Sequence, residues 1–330
     1  MDPAAPGIDD IRAAAVRIAP HVVRTPLRRA AGLSDRLGVD VFLKCENLQV
    51  AGAFKSRGAC NAVFSLDAAA AARGVATHSS GNHAAAVARA AQRRGIPATV
   101  VMPRGAAAVK RSAVLAFGAT VVECEPTLAA REQAAAEFVA RSGAAFVHPY
   151  DDPRVIAGQG TAILELAEDG VEPALVLAPV GGGGLLSGTA IAARCLWPRV
   201  RVIGAEPAGA DDAARSYASG TRQRQADPRT IADGLRGELS ERTFALIRSY
   251  VSDIVTVSEA GILDAMRHLR DDAGMLVEPS AAVPVAALLE GRLRPAAGPA
   301  ARPAAGQVAG GPVVVILSGG NVDPQVAAAL

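Results

Sequence analysis

Aromatic residues are scarce in this sequence, and neither sign of charge is in clear excess. Of its 330 residues, 3% are aromatic, 4 are cysteine and 4 are methionine. Lys and Arg number 34 against 32 Asp and Glu, with the two signs mixed along the chain. Such a chain has no basic face or tail for a phosphate backbone, so we expect no nucleic-acid partner. The 50% of hydrophobic residues are ample for a folded core.

Long apolar runs and the features of an export signal are also missing. The apolar window 174–193 contains Pro179 and four glycines, unlike a membrane helix of about 20 apolar residues. Residues 1–10 include three aspartates and lack the basic start and apolar stretch of a signal peptide. These absences predict a cytoplasmic protein without a membrane segment. Four cysteines without Cys-x-x-Cys spacing favour reduced core thiols over disulfides or a zinc site: Cys45, Cys60, Cys124 and Cys195.

Short β-branched segments alternate with Ala-rich segments along most of the chain. The predicted strands are 41–44, 74–77, 98–102, 120–124, 174–180, 200–205, 253–257 and 313–317. Predicted helices in the first half are 56–66, 83–94, 107–117 and 128–141. This alternation is typical of parallel sheets with crossover helices, so we predict an α/β fold with two open twisted sheets flanked by helices. The stretch 291–312, rich in Ala, Gly, Pro and Arg, is predicted to be a mobile surface loop.

Four consecutive glycines directly follow the predicted strand 174–180: Gly181, Gly182, Gly183 and Gly184. The backbone N–H groups of such a turn can close around a phosphate at the positive end of a helix. The dinucleotide pattern fails, because its third glycine would have to replace Leu186 or Ser187, and the lysine of a P-loop is missing. The run therefore predicts a phosphate site, with a tight turn for close packing as the alternative.

Lys55 lies in the segment Gly-Ala-Phe-Lys-Ser-Arg-Gly, at the start of the predicted helix 56–66. An amine near the positive end of a helix and beside an aromatic residue has a lowered pKa, which suits a nucleophile or a base. The alternative interpretation is an ordinary surface lysine.

A polar turn, Ser-Ser-Gly-Asn-His over 79–83, joins another predicted strand to a helix. It offers free backbone N–H groups and short polar side chains to an anion, which predicts a second anion site. The alternative is an ordinary N-cap, since Ser and Asn are good capping residues.

Five segments, in this order, are similar to the serine racemase and serine/threonine dehydratase family. They are 41–59, 77–84, 147–161, 178–188 and 317–322. Members of that family use pyridoxal phosphate on the fold type II scaffold. The resemblance implies a large domain formed by 1–73 and 152–330, a small mobile domain formed by 74–151, and a cofactor in the cleft between them.

The resemblance also implies how the cofactor is held. Lys55 would form a Schiff base with it, Phe54 would pack beside the pyridine ring, Asn82 would bind the ring hydroxyl and Ser318 the pyridine nitrogen. The phosphate would be bound by Gly181, Gly182, Gly183 and Gly184. Because a neutral hydroxyl at Ser318 cannot keep the ring nitrogen protonated, the ring is a weaker electron sink, which favours β-elimination over transamination.

Two catalytic residues and one carboxylate-binding turn follow from the same resemblance. Lys55 would remove the α-proton, and Ser80, on the opposite face of the ring, would return a proton in the racemase. The substrate carboxylate would lie on the turn formed by Ser80, Gly81, Asn82 and His83. Arg131 could reach that carboxylate from a closing small domain, or could be a solvated helix residue.

An acidic segment matches the divalent-cation loop of the serine racemase branch. Its ligands would be Glu206, Asp212 and the carbonyl oxygen of Ala210. Oxygen ligands suit Mg²⁺, Ca²⁺ or Mn²⁺. The alternative is a solvated acidic turn.

Two further features favour plain dehydratases. The segment 148–153, His-Pro-Tyr-Asp-Asp-Pro, is similar to the dehydratase version, and Gly237 replaces a serine of the racemase. We therefore predict a pyridoxal-phosphate serine/threonine dehydratase that converts a β-hydroxy amino acid to a 2-oxo acid and ammonia, acting as a homodimer on a small amino-acid substrate. Serine racemase and threo-3-hydroxyaspartate dehydratase are the alternatives, the latter needing an extra cation for a second carboxylate.

Two functions of another class are disfavoured. The failed glycine spacing argues against an oxidoreductase that binds a nicotinamide dinucleotide, and the presence of Lys55 and Ser80 argues against a non-catalytic cofactor-binding protein.

Overall fold

The computed structural model describes residues 5–106, 108–225, 227–295, 307–308 and 310–330. Its strands are β1 (Leu27–Arg29), β2 (Val41–Lys44), β3 (Val75–His78), β4 (Ala98–Pro103), β5 (Thr120–Cys124), β6 (Ala145–Phe146), β7 (Leu175–Pro179), β8 (Arg201–Pro207), β9 (Asp253–Val257), β10 (Arg294–Pro295), β11 (Gln307–Val308) and β12 (Val313–Ile316).

The helices are α1 (Ile8–Ile18), α2 (Ala31–Leu37), α3 (Lys55–Phe64), α4 (Ala68–Ala72), α5 (Asn82–Arg94), α6 (Ala108–Ala116), α7 (Leu128–Ser142), α8 (Pro153–Glu168), α9 (Gly184–Leu196), α10 (Asp212–Ser219), α11 (Glu241–Tyr250), α12 (Glu259–Ala273), α13 (Pro279–Leu289) and α14 (Pro324–Ala328). Short 3₁₀ helices cover Glu46–Leu48, Val50–Gly52 and Asp233–Leu235.

Two sheets carry the fold. Among the described residues, a six-stranded sheet has the order β1-β2-β12-β7-β8-β9, and a four-stranded sheet has the order β5-β4-β3-β6. All pairs in both sheets are parallel except β1 with β2. The predicted α/β fold with two sheets flanked by helices is confirmed.

Strand order explains how distant motifs meet. Strands β2, β12 and β7 are neighbours in the large sheet and run parallel. The chain that leaves β2 leads to Lys55, the chain that leaves β12 leads to Ser318, and the chain that leaves β7 enters the four glycines. In parallel sheets ligands bind outside the carboxyl ends of the strands, so this edge is the place for a site.

The large sheet has a hydrophobic core on each of its two faces, and successive residues of a strand belong to different cores. Leu175, Leu177 and Val315 belong to one buried cluster, shared with α12 and α13. Val176 and Val314 belong to another, shared with α1, α8 and α9. Successive residues of a strand point to opposite faces, so a strand buried on both faces is apolar throughout.

Helix α3 connects the two sheets. Its residues Ala59 and Val63 lie in the core of the small sheet, together with Val100 of β4. On its other side a Cβ atom built at Gly58 would lie 2.7 Å from the carbonyl oxygen of Val155, so α3 and α8 approach more closely than side chains allow. The helix that begins with Lys55 is therefore held between both parts of the molecule.

Two sequence predictions need correction. Cys45, Cys60 and Cys124 are free and buried as predicted, but Cys195 is exposed near the end of α9. Within the stretch 291–312, predicted to be a loop, the two-residue strands β10 and β11 pair in parallel, while 296–306 and 309 lie outside the described residues. In the part of the chain that the structure describes, no helix is long and apolar enough to cross a membrane.

Candidate active site

A cavity of about 490 Å³ is lined by residues that follow strands of both sheets. This volume is usual for a small-ligand site, whose range is roughly 300–1,000 Å³. The predicted site residues among its lining are Phe54, Lys55, Ser80, Gly81, Asn82, His83, Arg131, Gly181, Gly182, Gly183, Gly184 and Ser318. The fold thus brings together all of the residues predicted for cofactor and substrate.

Lys55 is the first residue of α3 and is half-buried in this cavity. Its Nζ donates a hydrogen bond to the carbonyl oxygen of Pro149 at 2.8 Å and lies 5.0 Å from the centre of the Phe54 ring. Burial lowers the pKa of Lys55 to about 8, against the opposing effect of the Glu278 carboxylate. From the sequence, the helix end and the aromatic ring predict a lowered pKa for Lys55. In the structure the largest cause of the lowered pKa is burial. With this pKa roughly a tenth of the amine is uncharged at pH 7, far more than for an ordinary lysine, and the uncharged form is the nucleophile.

The four glycines are packed so closely against their neighbours that a side chain at any of them would clash. A Cβ atom would lie 2.3 Å from the Tyr150 ring at Gly182 and 2.8 Å from Leu239 Cδ2 at Gly183. Gly183 has φ +86°, the left-handed region that favours glycine. The loop ends at Gly184, where α9 begins, so N–H groups at a helix N-terminus face the cavity. This geometry suits an anion such as a phosphate.

Ser318 lies within the same wall. It is buried, and its carbonyl oxygen accepts a hydrogen bond of 3.0 Å from the backbone N–H of Phe54. Ala53 also forms an isolated bridge with Gly319. These contacts hold the segment after β12 directly against the residues that precede Lys55.

Asn82 forms a network that sequence reasoning missed. Its Nδ2 donates to both carboxylate oxygens of Glu278, at 3.0 and 2.9 Å. Its Oδ1 accepts a bond of 2.9 Å from Asn321 Nδ2, which also donates to the carbonyl oxygen of Ala51. Burial raises the pKa of Glu278 to about 7, although the bond from Asn82 opposes this shift. A signal for Glu278 exists in the sequence, since it is a single acid within the otherwise apolar stretch 275–287.

His83 lines the cavity, but its side chain has a different partner from the one predicted. Its Nε2 lies 3.2 Å from the carbonyl oxygen of Val147 and is therefore assigned the hydrogen. Burial lowers the pKa of His83 well below its ordinary value, so the ring is neutral. The groups of this turn that suit an anion are the backbone N–H groups at the start of α5 and the side chain of Ser80, since the amide of Asn82 is bonded to Glu278 and Asn321.

Arg131 faces the cavity from α7. Its Nε is buried and has no hydrogen-bond partner within the described ranges. Burial lowers the pKa of His78 to about 4, and the charge of Arg131 contributes to that shift. Arg131 is thus only partly exposed to solvent, and its contact with a substrate carboxylate stays a prediction.

Lys110 and Asp233 add a charged pair to the cavity lining, which also includes Glu238. Lys110 belongs to α6, on the side of the small sheet, and forms an ion pair with Asp233 on the side of the large sheet. Arg236 lines the cavity close by. No local sequence pattern predicted Lys110, Asp233 or Arg236 as site residues, because only the fold brings them together across the cavity.

The acidic segment is buried rather than solvated. Glu206 lies within β8 and Asp212 begins α10, and both side chains are inaccessible, as is Ala210. Glu206 accepts bonds from the N–H groups of Ala213 and Ala214, at 3.2 and 2.9 Å. Burial raises the pKa of Glu206 to about 9 and that of Asp212 to about 6. The alternative of a solvated acidic turn is wrong, although no group of three or more His, Cys, Asp or Glu among the described residues forms a metal cluster.

Known proteins resemble this chain over almost its whole length. The sequence model of the pyridoxal-phosphate dependent enzyme family matches residues 18–319. The β-hydroxyaspartate dehydratase of Paracoccus denitrificans is 48% identical, covering 96% of this chain and 97% of its own. The serine racemase of Arabidopsis thaliana is 45% identical, covering 95% and 92%. The structure of maize serine racemase superposes with a TM-score of 0.91 at 41% identity, covering 98% and 96%.

The motifs, the sheet order and the cavity lead to the same conclusion as these similarities. The resemblance to fold type II enzymes, expected from five sequence segments, is confirmed by the family match and by the superposition. This chain belongs to the pyridoxal-phosphate dependent enzymes, within their ammonia-lyase and racemase family.

Proposed function

We propose that this enzyme eliminates water from a β-hydroxy amino acid, that water then hydrolyses the unsaturated amine to a 2-oxo acid and ammonia, and that 3-hydroxyaspartate is its preferred substrate. The observation that carries the proposal is a cavity with two places for anions besides the glycine loop. One is the turn from Ser80 to His83, and the other is the cationic lining of Arg131 and Arg236, since Lys110 is already paired with Asp233. A substrate with two carboxylates uses both, whereas serine and threonine use one.

The relatives support the same preference. A β-hydroxyaspartate dehydratase matches the chain at 48% identity over nearly its whole length. The sequence motifs favoured serine or threonine as substrate, with hydroxyaspartate lacking an assigned cation. The cavity lining supplies candidates for that cation. We therefore place hydroxyaspartate ahead of serine and threonine as the substrate.

The residues of the cavity fit the cofactor. We propose that Lys55 binds it covalently, that the four glycines take its phosphate, that Asn82 and Ser318 bind its ring, and that Phe54 packs beside it. The observation behind the phosphate site is that the loop lines the cavity and leads directly into the N-terminus of α9 at Gly184. When bound, pyridoxal phosphate supplies the electron sink for chemistry at the α-carbon of an amino acid.

The protein's own groups then handle protons. We propose that Lys55 Nζ removes the α-proton, because a pKa of about 8 lets the amine exchange protons near neutral pH. The turn at Ser80 holds the α-carboxylate, and Arg131 closes over it. The hydroxyl of Ser80 reaches the other side of the α-carbon. Proton return from Ser80 is racemisation, so racemase activity toward serine is the second candidate, supported by the similarity to the Arabidopsis enzyme.

A divalent cation is a further part of the proposal. Two inaccessible carboxylates with raised pKa values at Glu206 and Asp212 fit such an ion, because its charge would keep both ionised. With the carbonyl oxygen of Ala210 they would offer oxygen ligands for Mg²⁺, Ca²⁺ or Mn²⁺. The role of the ion is to stabilise the fold between β8 and α10, since these residues are not part of the cavity lining.

Three broader expectations stay proposals. We propose that 74–151 moves as a small domain against 1–73 and 152–330, that the enzyme is a homodimer, and that it acts in the cytoplasm. Light scattering of the purified protein measures the oligomer directly.

A substrate panel tests the function. The enzyme loaded with pyridoxal phosphate and Mg²⁺ is incubated with L-serine, D-serine, L-threonine and each stereoisomer of 3-hydroxyaspartate, and 2-oxo acid, ammonia and racemised product are measured. We expect the highest kcat/KM with one hydroxyaspartate isomer. A higher value with L-serine or L-threonine would overturn the substrate assignment, and racemisation without ammonia release would overturn the assignment as a dehydratase.

A further inference from the structure

Leu239 lies between the buried acidic segment and the glycine loop and touches both. Its side chain is 1% exposed. Its backbone N–H donates to Asp212 Oδ2 at 3.3 Å, and its Cδ2 would lie 2.8 Å from a Cβ atom at Gly183. A single residue therefore connects an acid outside the cavity to the wall of the cavity.

The neighbouring turns of α11 reinforce this contact. Thr243 Cβ and Ile247 Cδ1 would lie 2.9 and 3.1 Å from the same Cβ position at Gly183. The start of α11 is fixed by a capping box between Ser240 and Thr243. One face of this helix, extended by Leu239, is pressed against the backbone of the loop.

A glycine loop depends on such neighbours. Gly183 has no side chain that could anchor it, and glycine loses more conformational entropy on ordering than any other residue. An anion site built from backbone N–H groups binds well only when those groups are already in position. The packing of Leu239 on Gly183 supplies this order from outside the site.

We propose that Leu239 is a positioning residue for the phosphate of the cofactor, and that Asp212 supports that phosphate site through Leu239. This inference rests on the proposed role of the four glycines as the phosphate site. It gives the acidic segment an effect on the affinity of the enzyme for its cofactor, separate from the chemistry at Lys55.

Pyridoxal phosphate and pyridoxal are the probes, because they differ only in the phosphate. Their dissociation constants are measured on the apoenzyme by absorbance titration, for the wild type, Leu239→Ala and Asp212→Ala. We expect each variant to bind pyridoxal phosphate about ten-fold more weakly and pyridoxal with unchanged affinity, since a disordered loop costs the equivalent of one or two immobilised side chains.

A matched variant serves as the control. Leu246→Ala removes a buried leucine of α11 from the same hydrophobic cluster as Leu239, and it should retain the wild-type preference for pyridoxal phosphate. If Leu239→Ala does not fold, as judged by circular dichroism, Leu239→Val should show the same selective loss to a smaller degree.

Two results would overturn the inference, and they differ in what else they overturn. If the wild type binds the two probes equally, the phosphate role of the glycines is wrong and the coupling is wrong with it. If the wild type prefers pyridoxal phosphate and Leu239→Ala keeps that preference, or loses affinity equally for both probes, only the coupling is wrong.

Discussion

Arg57→Met should destabilise the protein strongly, and more so at neutral than at acid pH. Arg57 is almost inaccessible, and all of its N–H groups have acceptors. Glu46 receives two bonds from it, at 2.8 and 2.7 Å, and Glu165 receives two, at 2.7 and 2.9 Å. Lys44 Nζ adds a bond of 2.5 Å to Glu165. This cluster thus contains two positive and two negative charges. Arg57 itself lies two residues after Lys55 in the sequence.

The magnitude follows from the charge left behind. Removing one partner of a buried ion pair typically costs about 3–5 kcal/mol, because the other charge stays buried without compensation. A domain with a free energy of unfolding of roughly 5–15 kcal/mol would lose a large part of it. Glu165 retains Lys44, so Glu46 is the carboxylate that carries most of this cost.

The pH dependence identifies Glu46 as the cause. Burial by itself would raise the pKa of Glu46, but the charge and hydrogen bonds of Arg57 outweigh it and hold that pKa below its ordinary value. In the wild type the pair therefore contributes stability above the unfolded pKa, and this stability is lost as pH falls through the folded pKa. In Arg57→Met the effect of burial is opposed only by the hydrogen bond from Thr25 and the charge of Lys44, so the pKa of Glu46 rises and the variant loses stability as pH increases above the unfolded pKa.

Urea unfolding at pH 5 and pH 7 measures the effect. We expect the free-energy difference between wild type and Arg57→Met to be larger at pH 7, and the double variant with Glu46→Gln to be more stable than Arg57→Met at that pH. A difference that does not change with pH, together with no recovery in the double variant, would refute the reasoning. Leu33→Ala, at a buried site in another cluster, is a control whose cost should not depend on pH.

Four further predictions concern the cavity and the acidic segment. The rate at which the apoenzyme forms a borohydride-reducible adduct with pyridoxal phosphate should rise with pH around a midpoint near 8, and Glu278→Gln should lower that midpoint because the carboxylate raises the pKa of Lys55. Lys55→Ala should form no such adduct, and an adduct in that variant would exclude Lys55 as the attachment site. Ser80→Ala should suppress interconversion of serine enantiomers far more than elimination from L-serine; equal losses would assign Ser80 to binding. Chelation should lower both activity and melting temperature while the visible cofactor band stays, and Mg²⁺ should restore both. A response to Mg²⁺ that survives in Asp212→Ala would contradict the cation site.

Local patterns were sufficient for most of the strands and for the glycines and the lysine that line the cavity. Of the twelve strands that the structure describes, the alternation of strand and helix segments predicted eight to within two residues, since most of them are apolar, and it missed the two- and three-residue strands β1, β6, β10 and β11. The four glycines and Lys55 were found for a similar reason, since each lies where a turn or coil leads into a helix, and that local geometry requires particular residues. The order of the five segments then identified the family.

The tertiary structure alone decided which charges meet. Glu278 contacts Asn82 across 196 residues of sequence, and Arg57 contacts Glu165 across 108. Lys110 reaches Asp233 across 123 residues. Each contact follows from the order of strands within the sheets and from the way the two sheets face each other, and neither propensity nor spacing encodes that order.

Burial was equally hidden from the sequence. In the sequence, Glu206 and Asp212 fit both a solvated turn and a cation site, because the same residue types occur in both. Their pKa values rise only because β8 and α10 exclude water from them. The sequence by itself determined most of the strands, the motifs that line the cavity and the family. The structure decided the partners and the solvent exposure of each charge, because Coulomb energy depends on distance and on the surrounding dielectric, and both are properties of the folded chain.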